Sequence, residues 1–180
     1  VITPDANGIT TVTLTVDAAR ITVAGAVSFN TRAYHVGGVA QFPGPTLHIK
    51  AGGTLKVTLI NNLGDDIENK APTHNAFRHL NTTNLHTHGL HVDPFIDSVF
   101  VQVKGGSRAE YILPIPAGHA PGVHWYHAHS HGATTMQVTG GLFGALIVDT
   151  PDLPSDLANL MSHVVMVNSI SFTPETDPKT

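Results

Sequence analysis

Residues 54–59 read Thr-Leu-Lys-Val-Thr-Leu, with an aliphatic side chain at every second position. Successive side chains of a β-strand point to opposite faces, so this alternation predicts a strand with one buried and one solvated face. The same period of two recurs in Thr-Val-Thr-Leu-Thr-Val at 11–16 and in Arg-Ala-Glu-Tyr-Ile-Leu at 108–113. Half-buried strands of this kind are typical of antiparallel sheets. We therefore expect residues 54–59 to form one strand of an all-β domain.

Other segments extend this pattern. Further strands are predicted at 20–24, 45–50, 84–90, 122–128 and 142–148. Turns that contain Gly or Pro separate the candidate strands, as at Gly52-Gly53 and Gly105-Gly106. No segment of a dozen residues has the 3.6-residue period of an amphipathic helix. Many short strands with this spacing predict a β-sandwich or a Greek-key β-barrel.

The predicted strands divide the chain into two parts. Residues 1–150 hold most of them and are predicted to form one domain. Residues 151–180 are interpreted as a linker, rich in Pro and Asp, followed by the first strand of a second domain at 162–170. The alternative is that 162–170 forms a last edge strand of the first domain.

Composition excludes several classes of protein. The 180 residues include 9 basic and 13 acidic side chains, for a formal net charge of −4, which excludes a strongly basic nucleic-acid-binding surface. No apolar stretch approaches the length of about 20 residues that a membrane-spanning helix needs. The sequence has no Cys. This excludes disulfides, thiolate nucleophiles and a type 1 copper centre within these residues, because that centre needs a thiolate ligand.

Histidine is the unusual component, with 13 residues of this type. The segments His86-Thr87-His88 and His127-Ala128-His129 each place two imidazoles around one small residue. On a strand, residues i and i+2 share a face about 6.5–7 Å apart, so the two imidazoles can bind one metal or two adjacent metals. Imidazole binds Cu, Zn, Fe and Ni, and the affinity for divalent ions is highest for Cu. The spacing predicts a metal site, with copper favoured over zinc.

Two other interpretations of these histidines follow from spacing alone. A zinc hydrolase or hydratase would use three His and leave one coordination position open. A helix would place His124, His127 and His131 on one face, but the neighbouring Gly, Pro and aromatic residues disfavour a helix there. His91, His124 and His131 are interpreted as packing, surface or solvent-exposed residues rather than ligands, and Trp125 and Tyr126 as core aromatics.

Three blocks of the sequence, at 42–63, 86–91 and 122–148, resemble the N-terminal domain of multicopper oxidases. This family includes laccases, metallo-oxidases, copper-resistance oxidases and bilirubin oxidases. The blocks occur in the family's order and at similar spacings. The resemblance implies a cupredoxin-like Greek-key β-barrel or sandwich, which agrees with the strand pattern.

The resemblance also implies a role for each of five residues. His86 would bind a type 2 copper, His88 and His127 one type 3 copper, and His129 the other type 3 copper. Asp97, nine residues after His88, would assist proton delivery to oxygen intermediates. In the family these coppers form a trinuclear cluster between the first and last domains. The cluster reduces O2 to water while a reducing substrate is oxidised one electron at a time.

The sequence departs from the family in lacking the His-Cys-His motif that joins the type 1 copper to the cluster. Four further cluster ligands are not visible either. The resemblance therefore implies that the chain acts with the remaining cupredoxin domains, in the same or a partner chain, and does not turn over alone. The alternative is a stand-alone, non-enzymatic copper-binding module that acts as a carrier or buffer. An extracellular or periplasmic location is also implied, without nucleic-acid or membrane partners.

Overall fold

The computed structural model describes residues 1–25, 27–66, 76–150 and 153–170. These residues form two β-sheets with one hydrophobic core between them. In chain order the elements are β1 (Ile9–Val23), β2 (Val27–Val36), β3 (Val39–Gln41), β4 (Leu47–Ile49), β5 (Thr54–Asn61), β6 (His86–His88), β7 (Arg108–Pro114), β8 (Gly122–His127), α1 (Thr134–Gly140), β9 (Phe143–Val148) and α2 (Ser155–Ala158). The predicted all-β class is confirmed.

The two sheets have different strand orders. One sheet has five strands in the order β3-β2-β1-β5-β7, and the other has four in the order β4-β9-β8-β6. The β5 strand, predicted from its alternation, pairs antiparallel with β7 but parallel with β1. A second parallel pair joins β4 to β9. Alternation reports which face of a strand is buried but not the direction of its neighbour, so the sequence could not predict the parallel pairs.

The core follows the predicted period of two. Leu55, Val57 and Leu59 of β5 are fully buried, while Thr54, Lys56 and Thr58 between them are at least partly exposed. At the centre, Tyr126 of β8 packs against Tyr34 of β2, with ring centroids 5.7 Å apart. The Tyr126 hydroxyl donates a hydrogen bond of 2.7 Å to the carbonyl of Pro45. Burying a leucine or valine side chain contributes about 1.5–3 kcal/mol to folding. The alternating buried side chains of β5 therefore help to hold the two sheets together.

Several elements differ from the prediction. Residues 20–23 continue β1 rather than forming a separate strand, and β2 and β3 were not predicted. Most side chains of β2 are exposed or half-buried on both faces, so its sequence lacks a clear alternation. The short helix α1 was also not predicted.

The segment after β9 also differs from the prediction. Residues 161–170 form no strand, and α2 occupies part of the predicted linker. Val165 and Val167 are 81% and 93% exposed. Whether 151–180 opens a second domain stays a prediction. None of the helices in the described residues has the length and apolarity needed to cross a membrane.

Gly44 and Gly144 both lie against the Tyr126 side chain and leave room for it. A methyl group at Gly144 would overlap the Tyr126 phenol ring. We expect Gly144→Ala to lower the free energy of unfolding by about 1–3 kcal/mol, because a packed core cannot absorb the added volume. Gly64→Ala is the control, since a methyl group there meets no atom within 4 Å. Equal urea midpoints for the two variants would contradict the prediction.

Candidate metal centre

The two His-x-His segments lie side by side at the edge of the four-stranded sheet. Strand β6 pairs antiparallel with β8, and the register places His86 opposite His127 and His88 opposite Trp125. Because side chains alternate along both strands, these four residues project from the same face of the sheet. Thr87 and Ala128 are buried on the opposite side, as the sequence predicts. His129 follows two residues after the end of β8.

All four predicted imidazoles come together on this face. The His86 ring centroid lies 5.2 Å from that of His129, 5.3 Å from that of His127 and 5.9 Å from that of His88. The nitrogen atoms of His86, His88 and His127 that could bind a metal lie within 4.8 Å of one another. Metal–nitrogen bonds to imidazole are about 2.0–2.1 Å long. Small rotations of the three rings would therefore bring all three nitrogens within bonding distance of one metal ion.

His127 has the clearest features of a metal ligand. Its Nδ1–H donates to the carbonyl of Ala128 at 2.9 Å, which leaves the lone pair on Nε2. This Nε2 is buried and has no hydrogen-bond partner among the described residues. A buried polar atom without a partner is rare in folded proteins, and a metal ion would satisfy it. The donor set therefore fits a copper or zinc ion.

The protonation state of His127 also suits a ligand. Burial lowers the pKa of His127 to about 4, and the neighbouring imidazoles of His86, His129 and His88 lower it as well. The hydrogen bond to the Ala128 carbonyl raises the pKa of His127, but its effect is smaller than that of burial. The ring is therefore neutral at pH 7, which is the form that binds a metal.

Trp125 stacks against two of the imidazoles. Its ring centroid lies 4.1 Å from that of His127 and 5.0 Å from that of His88, at interplanar angles of 26° and 28°. Sequence reasoning interpreted Trp125 as a core aromatic, but it packs on the face of the sheet that carries the histidines. Tyr126 does lie in the core, as predicted. The indole restricts the rotation of both imidazoles that it contacts.

Asp97 lies beside His86 at the buried edge of the group. Its side chain accepts hydrogen bonds from the Thr87 backbone N–H (3.0 Å) and the Thr87 hydroxyl (2.9 Å). Asp97 Oδ2 is 3.1 Å from His86 Nδ1, although the ring N–H does not reach hydrogen-bond geometry. Asp97 is only 7% exposed. The structure thus places a carboxylate next to the imidazole cluster.

Asn84 is a residue of this centre that sequence reasoning missed. It is fully buried, and its side chain bonds to the backbone of both His129 and Val99. Its position two residues before His86 was the only indication in the sequence, and a polar residue next to a strand is too common to be informative.

A second group of histidines lies nearby. The His119 ring is 5.2 Å from that of His91 and 5.4 Å from that of His124. His119 Nε2 accepts the backbone N–H of His91, and Nδ1 donates to the Ala120 carbonyl, so neither nitrogen is free for a metal. Burial, together with His119 and His91, lowers the pKa of His124. His91 and His131 are exposed, and His74 lies outside the described residues.

Comparison with known proteins identifies relatives of the chain. A family profile described as "Multicopper oxidase" matches residues 21–152. "Laccase-3" of Thanatephorus cucumeris is 30% identical over 117 residues, which cover 63% of this chain and 18% of the laccase. "Multicopper oxidase mco" of Staphylococcus aureus is 30% identical over 106 residues, covering 59% of this chain and 20% of that protein. The chain thus spans about a fifth of the length of these relatives.

Solved structures share the fold. A multicopper oxidase from Campylobacter jejuni, described as a metallo-oxidase, superposes with a TM-score of 0.65 at 23% identity, over 84% of this chain and 29% of that chain. A multi-copper oxidase from Pseudomonas thermotolerans gives a TM-score of 0.62 at 23% identity, over 82% and 31%. The two-sheet architecture is therefore the predicted cupredoxin-like fold.

The lowered pKa of His127 predicts a pH dependence of stability. The folded state holds this ring neutral down to pH 4 or so, whereas an unfolded His protonates near pH 6.5. Between these values the unfolded chain binds a proton that the folded chain does not. The free energy of unfolding of the metal-free chain should therefore fall as the pH decreases through this range.

His127→Gln cannot titrate, so its stability should fall less steeply than that of the wild type between about pH 7 and pH 4. Urea unfolding at a series of pH values measures both slopes. His163→Gln, at an exposed position, is the control and should follow the wild type. Parallel curves for wild type and His127→Gln would show that His127 is not the group responsible.

Proposed function

Since the chain belongs to the multicopper oxidase family, in which it is an N-terminal cupredoxin domain, we propose that it supplies four imidazoles to a trinuclear copper cluster. These are His86, His88, His127 and His129. The observation that carries the proposal is the buried Nε2 of His127, which has no hydrogen-bond partner among the described residues. The His127 ring centroid lies 5.3 to 5.7 Å from those of the other three imidazoles. Following the resemblance, we propose His86 for the type 2 copper, His88 and His127 for one type 3 copper, and His129 for the other.

Copper bound here would supply the one-electron redox chemistry by which O2 is reduced to water. The chain's own residues hold the metal with neutral donors, and Trp125 keeps two of the rings in place. We propose that Asp97 Oδ2 delivers protons toward the cluster. Its buried position beside His86 and its two hydrogen bonds from Thr87 support this role.

The remaining ligands and the type 1 copper would come from other cupredoxin domains, in the same or a partner chain. Two features support this. His88 and His129 are exposed, so the cluster is open on one side. Phe95 and Phe100, in the loop that carries Asp97, are 91% and 89% exposed, and exposed apolar groups next to a site are typical of a surface that another domain covers.

We also propose an extracellular or periplasmic location, which fractionation of the source cells tests.

A stand-alone copper-binding module is the second candidate. It is favoured by the three nitrogens of His86, His88 and His127, which lie close enough for this chain alone to hold one ion. The two candidates differ in whether the chain acts alone or together with other cupredoxin domains. A module should bind one tightly held copper and never consume O2. A domain of an oxidase should support O2 consumption only together with the remaining cupredoxin domains.

The proposal predicts that His88→Ala weakens Cu²⁺ binding by about tenfold or more, since a ligand matters at least as much as the groups that orient it. His88 is exposed, so its removal should not disturb folding. The matched control is His91→Ala, an exposed His three residues further on and outside the cluster. Isothermal titration with Cu²⁺ measures the affinity of each variant. Equal losses in both variants, or none in His88→Ala, would contradict the ligand assignment.

The role of Asp97 is tested in the protein with its remaining domains. Asp97→Asn keeps the shape and one oxygen acceptor for Thr87 but cannot deliver a proton. We expect O2 consumption to slow by about 100-fold or more at unchanged copper content, as for other positioned proton donors. Asp93→Asn, an exposed residue in the same loop, is the control and should keep normal turnover. Full activity of Asp97→Asn would remove Asp97 from the mechanism.

A further inference from the structure

We infer that Asn84 is a positioning residue of the metal centre, because its side-chain amide ties together the three segments that carry the cluster. This inference rests on the proposed function insofar as the centre binds copper. The Asn84 Oδ1 accepts the backbone N–H of His129 at 2.6 Å, and its Nδ2 donates to the carbonyl of Val99 at 2.8 Å. Asn84 itself precedes His86 by two residues and is fully buried.

His129 depends on this contact more than the other imidazoles do. The β6–β8 ladder holds His86 opposite His127 and His88 opposite Trp125. His129 lies beyond that ladder, and its exposed imidazole makes no hydrogen bond to any described residue. The Ala128 N–H bonds to the Leu142 carbonyl and ties the preceding residue to the core. The hydrogen bond from the His129 N–H to Asn84 is the contact that ties His129 directly to the segment that carries His86.

The second hydrogen bond extends the effect to the carboxylate. Val99 follows Asp97 by two residues in a loop without regular pairing. Through its bond to the Val99 carbonyl, Asn84 holds this loop against the strand that carries His86 and His88. Only a neutral amide of this length offers one acceptor and one donor in these two directions. An aspartate in its place would keep the acceptor but turn an oxygen toward the Val99 carbonyl.

Asn61 provides a matched control. It is also fully buried, and its Nδ2 donates to the carbonyls of Asn81 (2.7 Å) and Val103 (2.8 Å) while its Oδ1 accepts the N–H of Leu63 (3.0 Å). Like Asn84, it joins separate backbone segments through a buried side-chain amide. Its bonds, however, reach none of the residues of the imidazole cluster. Loss of Asn61 should lower stability without moving the histidines.

The experiment compares Asn84→Leu with Asn61→Leu in the full chain, since leucine has the same branched side-chain skeleton as asparagine but forms no hydrogen bonds. Its larger volume burdens both buried sites alike. Both variants should be less stable than the wild type. We expect only Asn84→Leu to weaken Cu²⁺ affinity, by about 10- to 100-fold, as for other groups that orient ligands. Its Cu²⁺ EPR spectrum should also lose nitrogen hyperfine coupling. Asn84→Asp keeps the acceptor for His129 and should bind Cu²⁺ better than Asn84→Leu.

A second readout does not depend on copper. In crystal structures, or by hydrogen exchange of the His129 amide, Asn84→Leu should show His129 displaced from His86 or its amide unprotected, and Asn61→Leu should not. If Asn84→Leu does not fold, Asn84→Ser and Asn61→Ser carry the same comparison. An unmoved His129 in Asn84→Leu and Asn84→Ser, or an equal effect of the matching Asn61 variants, overturns the inference. A wild-type chain that binds no Cu²⁺ overturns the proposed function instead, and the position of His129 still decides the role of Asn84.

Discussion

The antiparallel pairing of β6 with β8 is the interaction on which the centre depends. It joins a three-residue edge strand to a neighbouring strand of its sheet, and its register places His86 opposite His127. A slip of one residue would reverse the faces of the shorter strand and direct Thr87, rather than the imidazoles, toward the cluster. Such a short strand cannot define its register by backbone hydrogen bonds alone. The hydrogen bonds from the Thr87 N–H and hydroxyl to Asp97 therefore help to fix the register.

The core provides the rigidity that this pairing needs. Strand β8 lies between β6 and β9, and Tyr126 anchors it by filling the space beside Gly144 and bonding to Pro45. Because Tyr126 points into the core, its neighbours Trp125 and His127 must point to the other face. The same alternation that buries Tyr126 in the core thus places the stacked rings of Trp125 and His127 on the opposite face of the sheet. Stability and site geometry follow from one backbone conformation.

The sequence predicted those features that depend on local periodicity. Strand β5, with its regular aliphatic alternation, and the shared face of His86 and His88 could both be inferred from spacing. The parallel pairing of β1 with β5 could not, since the partners lie about 45 residues apart and nothing local encodes their direction. The same holds for Asn84, which meets His129 across 45 positions of sequence. Tertiary contacts of this kind determine whether a buried polar residue is structural or functional.

The distribution of solvent exposure across the four imidazoles bears on how the centre is completed. His127 is buried and His86 partly covered, whereas His88 and His129 are exposed. Burial keeps His127 neutral, as its lowered pKa of about 4 indicates, so that this side of the group is prepared for a metal before one arrives. The other side is open: Trp125 stacks on one face of the His88 ring, but both His88 and His129 are exposed to solvent. Neutral donors on one side and solvent on the other favour a cation whose coordination is completed from outside this chain. Structural metal sites, in contrast, have protein ligands on all sides of the metal.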